Sequence, residues 1–236
     1  MMASVQPKLR RQRSKLFVSC AIAAMATALA LPKQALAQAA PGAFQGNPTT
    51  VLGAVTYDRG SIGSETITVG SPSATINWSP YDANGTGPID FLPNGYVATF
   101  VNDPNLTADY TVLNKIVPTD PSRSIMLNGQ IVSQITDGIN SSTGGHVWFY
   151  SPGGILIGSS AMIDVGGLLL TTADLANGFT ADSSGFSAYF SAPSGSTSAI
   201  RILDGAQISA LQPGSYVALV APRIEQGGNV QVNGTA

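Results

Sequence analysis

HVWFYSPGGILIGSSAMIDVGGLLL, residues 146–170, runs from an apolar strand through a Pro-Gly-Gly corner and a second apolar run to an alternating strand that ends at Gly-Gly. The same order recurs in SYVALVAPRIEQGGNVQVNG, residues 215–234. Aligning Pro152 with Pro222 brings further positions into correspondence: Ile155 with Ile224, Gly158 with Gly227, Met162 to Val165 with Asn229 to Val232, and Gly166 with Gly234. A unit of roughly 20 residues that cannot bury its own apolar face needs stacked neighbours, as in solenoids and β-helices. The repeat therefore predicts a chain that winds in stacked coils.

The composition predicts an all-β protein. The chain has 26 Gly and 15 Pro, and only 10% of its residues are charged, so it is rich in turns and poor in the residues that cover solvated helices. Hydrophobic residues make up 44% of its 236 residues, which is enough for a sizeable core in one domain. In stacked parallel coils, alternate Ile, Leu and Val side chains point inward and lie on their equivalents one coil away.

Residues 1–37 are predicted to be an export signal. A basic leader (Lys8, Arg10, Arg11, Arg13 and Lys15) precedes an apolar run over residues 16–31, and Ala35 and Ala37 form a small-x-small cleavage site. Cleavage is expected after Ala37, and an uncleaved anchor is the alternative. Because no later segment approaches the roughly 20 apolar residues that span a bilayer, we expect no transmembrane segment in the mature chain.

Removal of the signal leaves an acidic protein without cysteine. Five basic residues remain against all thirteen acids, a net charge of 5 − 13 = −8: Arg59, Lys115, Arg123, Arg201 and Arg223. Five scattered cations cannot form the basic stripe that binds phosphates, so nucleic acid is excluded as a partner. The only cysteine, Cys20, lies in the signal, so no disulfide is expected.

Turn signals divide the rest of the chain. Residues 38–50 are small and polar and are interpreted as a loose leader. Short alternating runs between Glu65 and Val101 are interpreted as an antiparallel amino-terminal cap within about residues 51–110, and coils are expected over about residues 111–236. The stretch between Asn177 and Ser198 is predicted to leave the coils as an excursion. Its four aromatic residues are expected to lie back on the body: Phe179, Phe186, Tyr189 and Phe190.

An ordered set of blocks makes this pattern specific. The blocks are YTVLNKIV (110–117), PSRSI (121–125), NG (128–129), VWFYSPGGI (147–155), DVGGL (164–168) and VALVAPRI (217–224). In this order they resemble the amino-terminal secretion domain of the filamentous haemagglutinin family of two-partner-secretion exoproteins, over about residues 39–236. The resemblance implies a right-handed parallel β-helix with an amino-terminal cap. It also implies recognition in the periplasm by the polypeptide-transport-associated domains of an outer-membrane barrel transporter, with folding at the cell surface.

One segment departs from that family. Its signature, Asn-Pro-Asn-Gly-Ile, is replaced here by Ser151, Pro152, Gly153, Gly154 and Ile155. The resemblance ties this segment to transporter recognition and a local turn, and a plain coil corner is the alternative. Ser151 is expected to replace the Asn cap through its hydroxyl, and Gly153 can take the turn without a side-chain bond. Asp103-Pro104-Asn105-Leu106 is similar to another tetrapeptide of the family, but it comes late relative to the other blocks and is interpreted as coincidental.

No catalytic, cofactor or metal site is predicted. His146 is the only histidine, so a His-containing metal cluster or a Ser-His-Asp arrangement would depend on one ring, and we interpret it as a residue at a strand edge or corner. The carboxylates that a polysaccharide lyase or hydrolase on this fold would cluster are dispersed at turns: Asp137, Asp164, Asp174, Asp182 and Asp204.

Three functions remain open. The first is a secretion-targeting and folding-nucleus domain of a haemagglutinin-like or adhesin-like exoprotein, which reaches the cell surface or medium of a Gram-negative bacterium through the periplasm. The second is a carbohydrate-acting β-helix enzyme, which we regard as the weakest. The third is a self-contained surface protein that binds glycans or a host receptor through Trp148, Tyr150 and Tyr189.

Overall fold

The protein is described by a computed structural model that covers residues 41–81, 85–106, 109–182 and 185–236. The regular secondary structure in those ranges consists of β-strands alone. The strands are β1 (Gly46–Leu52), β2 (Val55–Ser61), β3 (Ser64–Val69), β4 (Ser73–Pro80), β5 (Ile89–Leu92), β6 (Val97–Asn102), β7 (Thr111–Ile116), β8 (Ile125–Leu127), β9 (Gln130–Thr136), β10 (Ser141–Thr143), β11 (His146–Tyr150), β12 (Ile155–Ile157), β13 (Met162–Asp164), β14 (Gly167–Thr171), β15 (Asp174–Asp182), β16 (Gly185–Ser191), β17 (Ala199–Ile202), β18 (Gln207–Val220), β19 (Arg223–Gln226) and β20 (Asn229–Thr235).

The strands build a parallel β-helix with three faces. The first face stacks β3, β6, β9, β13, the start of β18 and β20, and the second stacks β4, β7, β11, β14 and the end of β18. The third face stacks β5, β8, β12, β17 and β19. All of these pairs are parallel, so the fold class predicted from the sequence is confirmed.

Columns of aliphatic side chains run through the interior, as the sequence predicts. On the third face the strand register stacks one isoleucine from each coil: Ile89, Ile125, Ile155, Ile200 and Ile224. The aligned repeat is real, but its two copies lie two coils apart, because Ile155 pairs with Ile200 and Ile200 pairs with Ile224. The coil between them is longer than the roughly 20-residue unit because it contains the predicted excursion.

The coils begin earlier than predicted. The runs between Glu65 and Val101 form β3, β4 and β6, and these strands pair in parallel with β6, β7 and β9 as ordinary coil members. The expected antiparallel cap is therefore wrongly placed. The cap consists of β1, antiparallel to β4, and β2, antiparallel to β3. Alternation of apolar residues does not reveal whether a strand pairs in parallel, because pairing is decided by distant parts of the chain.

The interpretation of residues 38–50 as a loose leader is also wrong for residues 41–50, which the structure describes. Residues 38–40 lie outside the described ranges. Residues from Gly46 onward form β1, and Ala43 and Phe44 are fully buried. The ring of Phe44 stacks on Phe91, with 5.0 Å between centroids, and meets Trp78 edge-on at 5.1 Å. Phe44 thus plugs the amino-terminal end of the core, which explains why a small polar segment is ordered.

A buried ion pair holds this plug. The Glu65 carboxylate points inward at the first coil and accepts hydrogen bonds from the backbone N–H groups of Ala43 (3.1 Å) and Phe44 (3.0 Å). Arg59 lies 3.1 Å from the other Glu65 oxygen and donates to the Phe44 carbonyl at 2.6 Å. Burial raises the pKa of Glu65, and the Arg59 charge opposes this shift.

The predicted excursion is a hairpin of β15 and β16. Its base is fixed to the second face because Lys115 lies 2.7 Å from Asp174 and Leu175 packs on the cluster formed by Leu113, Trp148, Tyr150 and Leu169. The predicted return of aromatic residues to the body is wrong for Tyr189 and Phe190, which are 66% and 41% exposed. The side chains of Phe179 and Phe186 lie outside the described part.

Candidate functional site

The segment over residues 151–155, here called the signature turn, joins β11 to β12 and crosses from the second face to the third. The Gly154 N–H donates to the Ser151 carbonyl at 3.3 Å, which closes the turn. The Ser151 N–H donates to Thr171 on the following coil at 3.1 Å, and the Gly154 carbonyl accepts from Ile125 on the preceding coil at 3.1 Å. Its backbone is therefore fixed by both neighbouring coils.

Both glycines of the turn are required by geometry. Gly154 has φ of 121°, a region that other residues rarely adopt. Gly153 does not need a left-handed conformation, but a Cβ atom at this position would overlap the Arg123 carbonyl of the coil below. Close backbone approach, rather than turn type alone, explains the glycine that replaces the family's Asn.

Ser151 does not cap the turn. Its hydroxyl is fully buried and has no hydrogen-bond partner within the described residues, so the expected replacement of the Asn cap is wrong. The same holds for the hydroxyl of Thr172, which follows Thr171, the residue paired with Tyr150. Two unsatisfied hydroxyls thus occupy equivalent corner positions on adjacent coils. The turn is held by its backbone and by packing of Ile155, which is buried.

A groove of about 440 Å³ lies beside the signature turn. Pro152 and Gly153, the half-buried part of the turn, form one wall, and Ser196 and Thr197 from the loop before β17 contribute another. Arg201 also lines the groove and is engaged by Glu225 at 2.6 Å. The exposed surface of the signature turn is therefore mostly neutral and hydroxyl-lined.

The segment Asp103-Pro104-Asn105-Leu106 forms a hydrogen-bonded turn, and no comparison assigns it a role. The Asp103 carboxylate accepts from the backbone N–H of Asn105 at 2.9 Å and from its side-chain amide at 2.8 Å. Buried Asn102 donates to the carbonyls of Asp103 and Leu106 and bonds Thr136 on the next coil. The turn joins β6 to β7, one coil before the signature turn. An Asp-Pro-Asn signal preceded by Asn could have identified it as a fixed turn.

His146 begins β11, as predicted, and its surroundings are structural. Its ring stacks on Tyr216 with 5.2 Å between centroids, and its Nε2 lies 3.5 Å from Asp109. Burial lowers the pKa of His146, and Asp109 opposes the shift. The Trp148 indole N–H donates to the Tyr216 hydroxyl at 2.7 Å. Across residues 41–81, 85–106, 109–182 and 185–236, no group of acidic or histidine side chains could hold a metal ion.

Two of the three aromatic residues considered for glycan binding are unavailable. Trp148 is fully buried, and Tyr150 is 8% exposed with Lys115 over its ring at 5.3 Å. Tyr189 is exposed on the hairpin. Ala35 and Ala37 lie outside the described residues, so their cleavage remains a prediction. In the part of the chain that the structure covers, no helix is both long and apolar enough to cross a membrane.

Comparison with known proteins places this geometry in a family. A search of curated proteins gives no match to the sequence. Among solved structures, the fold is similar to the crystal structure of the HMW1 secretion domain from Haemophilus influenzae, with a TM-score of 0.53 and 19% sequence identity. The similarity covers 79% of this chain and 44% of that chain, so this chain spans less than half of its length. The family model described as the TPS secretion domain matches residues 65–235, which are most of the coils and both candidate turns. The chain belongs to the TPS secretion domain family.

Proposed function

We propose that this chain is the targeting and folding-nucleus domain of a haemagglutinin-like or adhesin-like exoprotein, and that the polypeptide-transport-associated domains of an outer-membrane barrel transporter recognise it. A TPS secretion domain belongs to an exoprotein exported across the outer membrane of a Gram-negative bacterium. Beyond export itself, we propose which domains of the partner bind the chain, which surface they bind and what kind of exoprotein carries it. It is supported most directly by the signature turn, whose fixed backbone presents Pro152 and Gly153 beside the groove.

The proposed route starts with removal of residues 1–37 after Ala37, as the basic leader and the Ala35–Ala37 pattern predict. The described fold begins at the buried plug only a few residues later, because Gly42 already donates to Ser61 at 3.0 Å. Mass spectrometry of the secreted chain should therefore give Gln38 as its first residue. A secreted product that still carries Ala37 or begins within the plug would contradict this step.

The recognition surface can be tested with a pair of proline variants. Pro152 and Pro222 occupy equivalent corners, as the register of Ile155 and Ile224 shows, but only Pro152 belongs to the signature turn. In cells that express the chain with its cognate transporter, Pro152→Ala should lower the secreted amount about tenfold, which corresponds to a loss of roughly 1.4 kcal/mol in recognition. Pro222→Ala, at the more exposed corner, should leave secretion unchanged.

Folding must be separated from recognition in this experiment. The free energy of unfolding of both purified variants, measured with urea, should lie within about 0.5 kcal/mol of the parent, as is usual for surface substitutions. Binding of the isolated transport-associated domains to the purified chain should fall for Pro152→Ala alone. Equal secretion of the two variants would show that the signature turn is a plain coil corner. The proposal that the transporter recognises this turn would then have no support.

A second function, binding of a glycan or host receptor, is favoured by one observation. Tyr189 and Phe190 are exposed on β16, and aromatic side chains are enriched where proteins bind partners. A glycan array with the purified chain tests this function, and the Tyr189→Ala variant should lose the signal. Absence of signal for the parent chain would leave the secretion role alone.

A further inference from the structure

We propose that a water molecule is bound inside the corner between the second and third faces, where it bridges the hydroxyls of Ser151 and Thr172. These two residues are 0% and 1% exposed, and neither hydroxyl has a hydrogen-bond partner among the described residues. Nearly all buried polar groups in folded proteins are hydrogen-bonded, because a buried hydroxyl without a partner costs free energy. The inference concerns the interior of the β-helix and does not depend on the proposed function.

The two hydroxyls belong to neighbouring positions on adjacent coils. Tyr150 pairs with Thr171, and the Ser151 N–H continues this ladder by donating to the Thr171 carbonyl at 3.1 Å, so Ser151 and Thr172 lie side by side in the corner. The backbones of neighbouring strands are about 4.8 Å apart, which is too far for a single hydrogen bond. Two hydrogen bonds of about 2.8 Å that meet at a tetrahedral oxygen atom span about 4.6 Å. One water molecule therefore fits the spacing of the coils.

The neighbours of this pair along the corner are apolar. The strand register places Ile116 at the equivalent position on the preceding coil and Ala221 at the equivalent position on the following coil. Ile116 is fully buried in the core, and Ala221 packs against the same core. Neither side chain contains an atom that can hydrogen-bond a hydroxyl. The side chains stacked above and below the pair therefore cannot satisfy it.

The chemistry of the pair selects water as the ligand. Each hydroxyl can donate one hydrogen bond and accept two, which matches a small neutral molecule that does both. Buried waters make two to four hydrogen bonds to polar groups, and the two hydroxyls supply the first two. A divalent cation is disfavoured, because such ions take several oxygen ligands that include carboxylates. The water would link the signature turn to the following coil, in addition to the backbone bond from Ser151.

The first test is urea unfolding of Ser151→Ala, Thr172→Val and the double variant. With a bridging water, each single substitution leaves the other hydroxyl without its partner, so the equilibrium constant of unfolding should rise about tenfold. The double variant leaves no hydroxyl unpaired, and its equilibrium constant should rise no more than about tenfold, because replacing both partners by apolar groups of the same shape costs little. Without a water, each single substitution would remove an unpaired hydroxyl and lower the equilibrium constant. That result would overturn the proposal.

Thr99→Val is the matched control, because Thr99 is half-buried on β6 and reaches solvent. Its equilibrium constant of unfolding should change less than about threefold, and a change as large as that of Thr172→Val would show that the effect does not come from a bridge. The second test is a crystal structure of the purified chain. Electron density for an ordered water should lie about 2.5 to 3.0 Å from both hydroxyl oxygens and should be lost in the double variant. A dry corner, or a direct hydrogen bond between the two hydroxyls, would overturn the proposal.

Discussion

Replacing Phe44 by Ala tests whether the amino-terminal plug is part of the core. Phe44 is fully buried and touches aromatic residues from all three faces, with Phe91 stacked and Trp78 edge-on at about 5 Å and with Phe100 at 6.1 Å between centroids. Loss of a buried Phe side chain removes about 1.5 to 3 kcal/mol of burial free energy, and close aromatic pairs contribute about 0.5 to 1.5 kcal/mol more. We therefore expect the free energy of unfolding to fall by about 3 to 5 kcal/mol, the usual range for Phe→Ala in a core.

The assay is equilibrium unfolding in urea followed by tryptophan fluorescence, since Trp78 lies beside the plug. The matched control is Phe190→Ala, because Phe190 is an exposed residue on the hairpin and the chemical change is the same. Its free energy of unfolding should change by less than about 0.5 kcal/mol. A Phe44→Ala loss below about 1 kcal/mol, or one equal to that of the control, would show that residues 41–45 do not close the core.

Three further predictions concern single positions. In urea unfolding, Gly145→Ala should lose at least about 1 kcal/mol more free energy of unfolding than Gly95→Ala. Both residues have φ of 79°, but only at Gly145 would a Cβ atom overlap the Tyr110 ring. Equal losses would show that the Tyr110 ring does not crowd this position. Burial raises the pKa of Glu65 above 4.5, so the folded state binds the proton more tightly than the unfolded state. The free energy of unfolding of the parent, relative to that of Glu65→Gln, should therefore fall as pH rises from 4.5 through the raised pKa. A difference between the two proteins that does not change with pH would refute the shift. Burial lowers the pKa of His146 from 6.5, so the unfolded state binds the proton more tightly than the folded state. The free energy of unfolding of the parent, relative to that of His146→Phe, should fall as pH drops below 6.5 and should level off below the lowered pKa. A relative stability that grew on acidification would mean that the pKa is raised instead.

Local features of the sequence were sufficient to predict the coils. The match between residues 146–170 and 215–234 gave the correct stacking of Ile155 with Ile224 and of Met162 with Asn229, two coils apart. Strands and corners are set by β-branched residues, alternation and glycines close together in the chain, so these can be inferred without a structure. The signature turn was found in the same way, as a Pro-Gly-Gly corner between two strands.

Features that depend on distant residues were missed. The sequence places Glu65 at the start of a cap strand and predicts no partner for its carboxylate, which lies inside the first coil because Ala43, Phe44 and Arg59 close over it. Similarly, the Ser151 hydroxyl looked like a turn cap, but the turn is fixed by Thr171 and Ile125 from neighbouring coils. The local sequence around a charged or hydroxyl side chain does not show whether that side chain will be buried.

By itself, the sequence determined the short strands, their corners and their inward aliphatic positions, because alternation and corner glycines act over a few residues. The repeat of these features indicated that the strands stack as coils. Only the tertiary structure decided which segment closes the core, since Phe44 is apolar in a polar stretch and acquires its role from Trp78, Phe91 and Phe100. It also decided that the Glu65 carboxylate is buried, because Ala43, Phe44 and Arg59 close over it. Burial depends on what the rest of the chain places above a residue, and no local pattern contains that information.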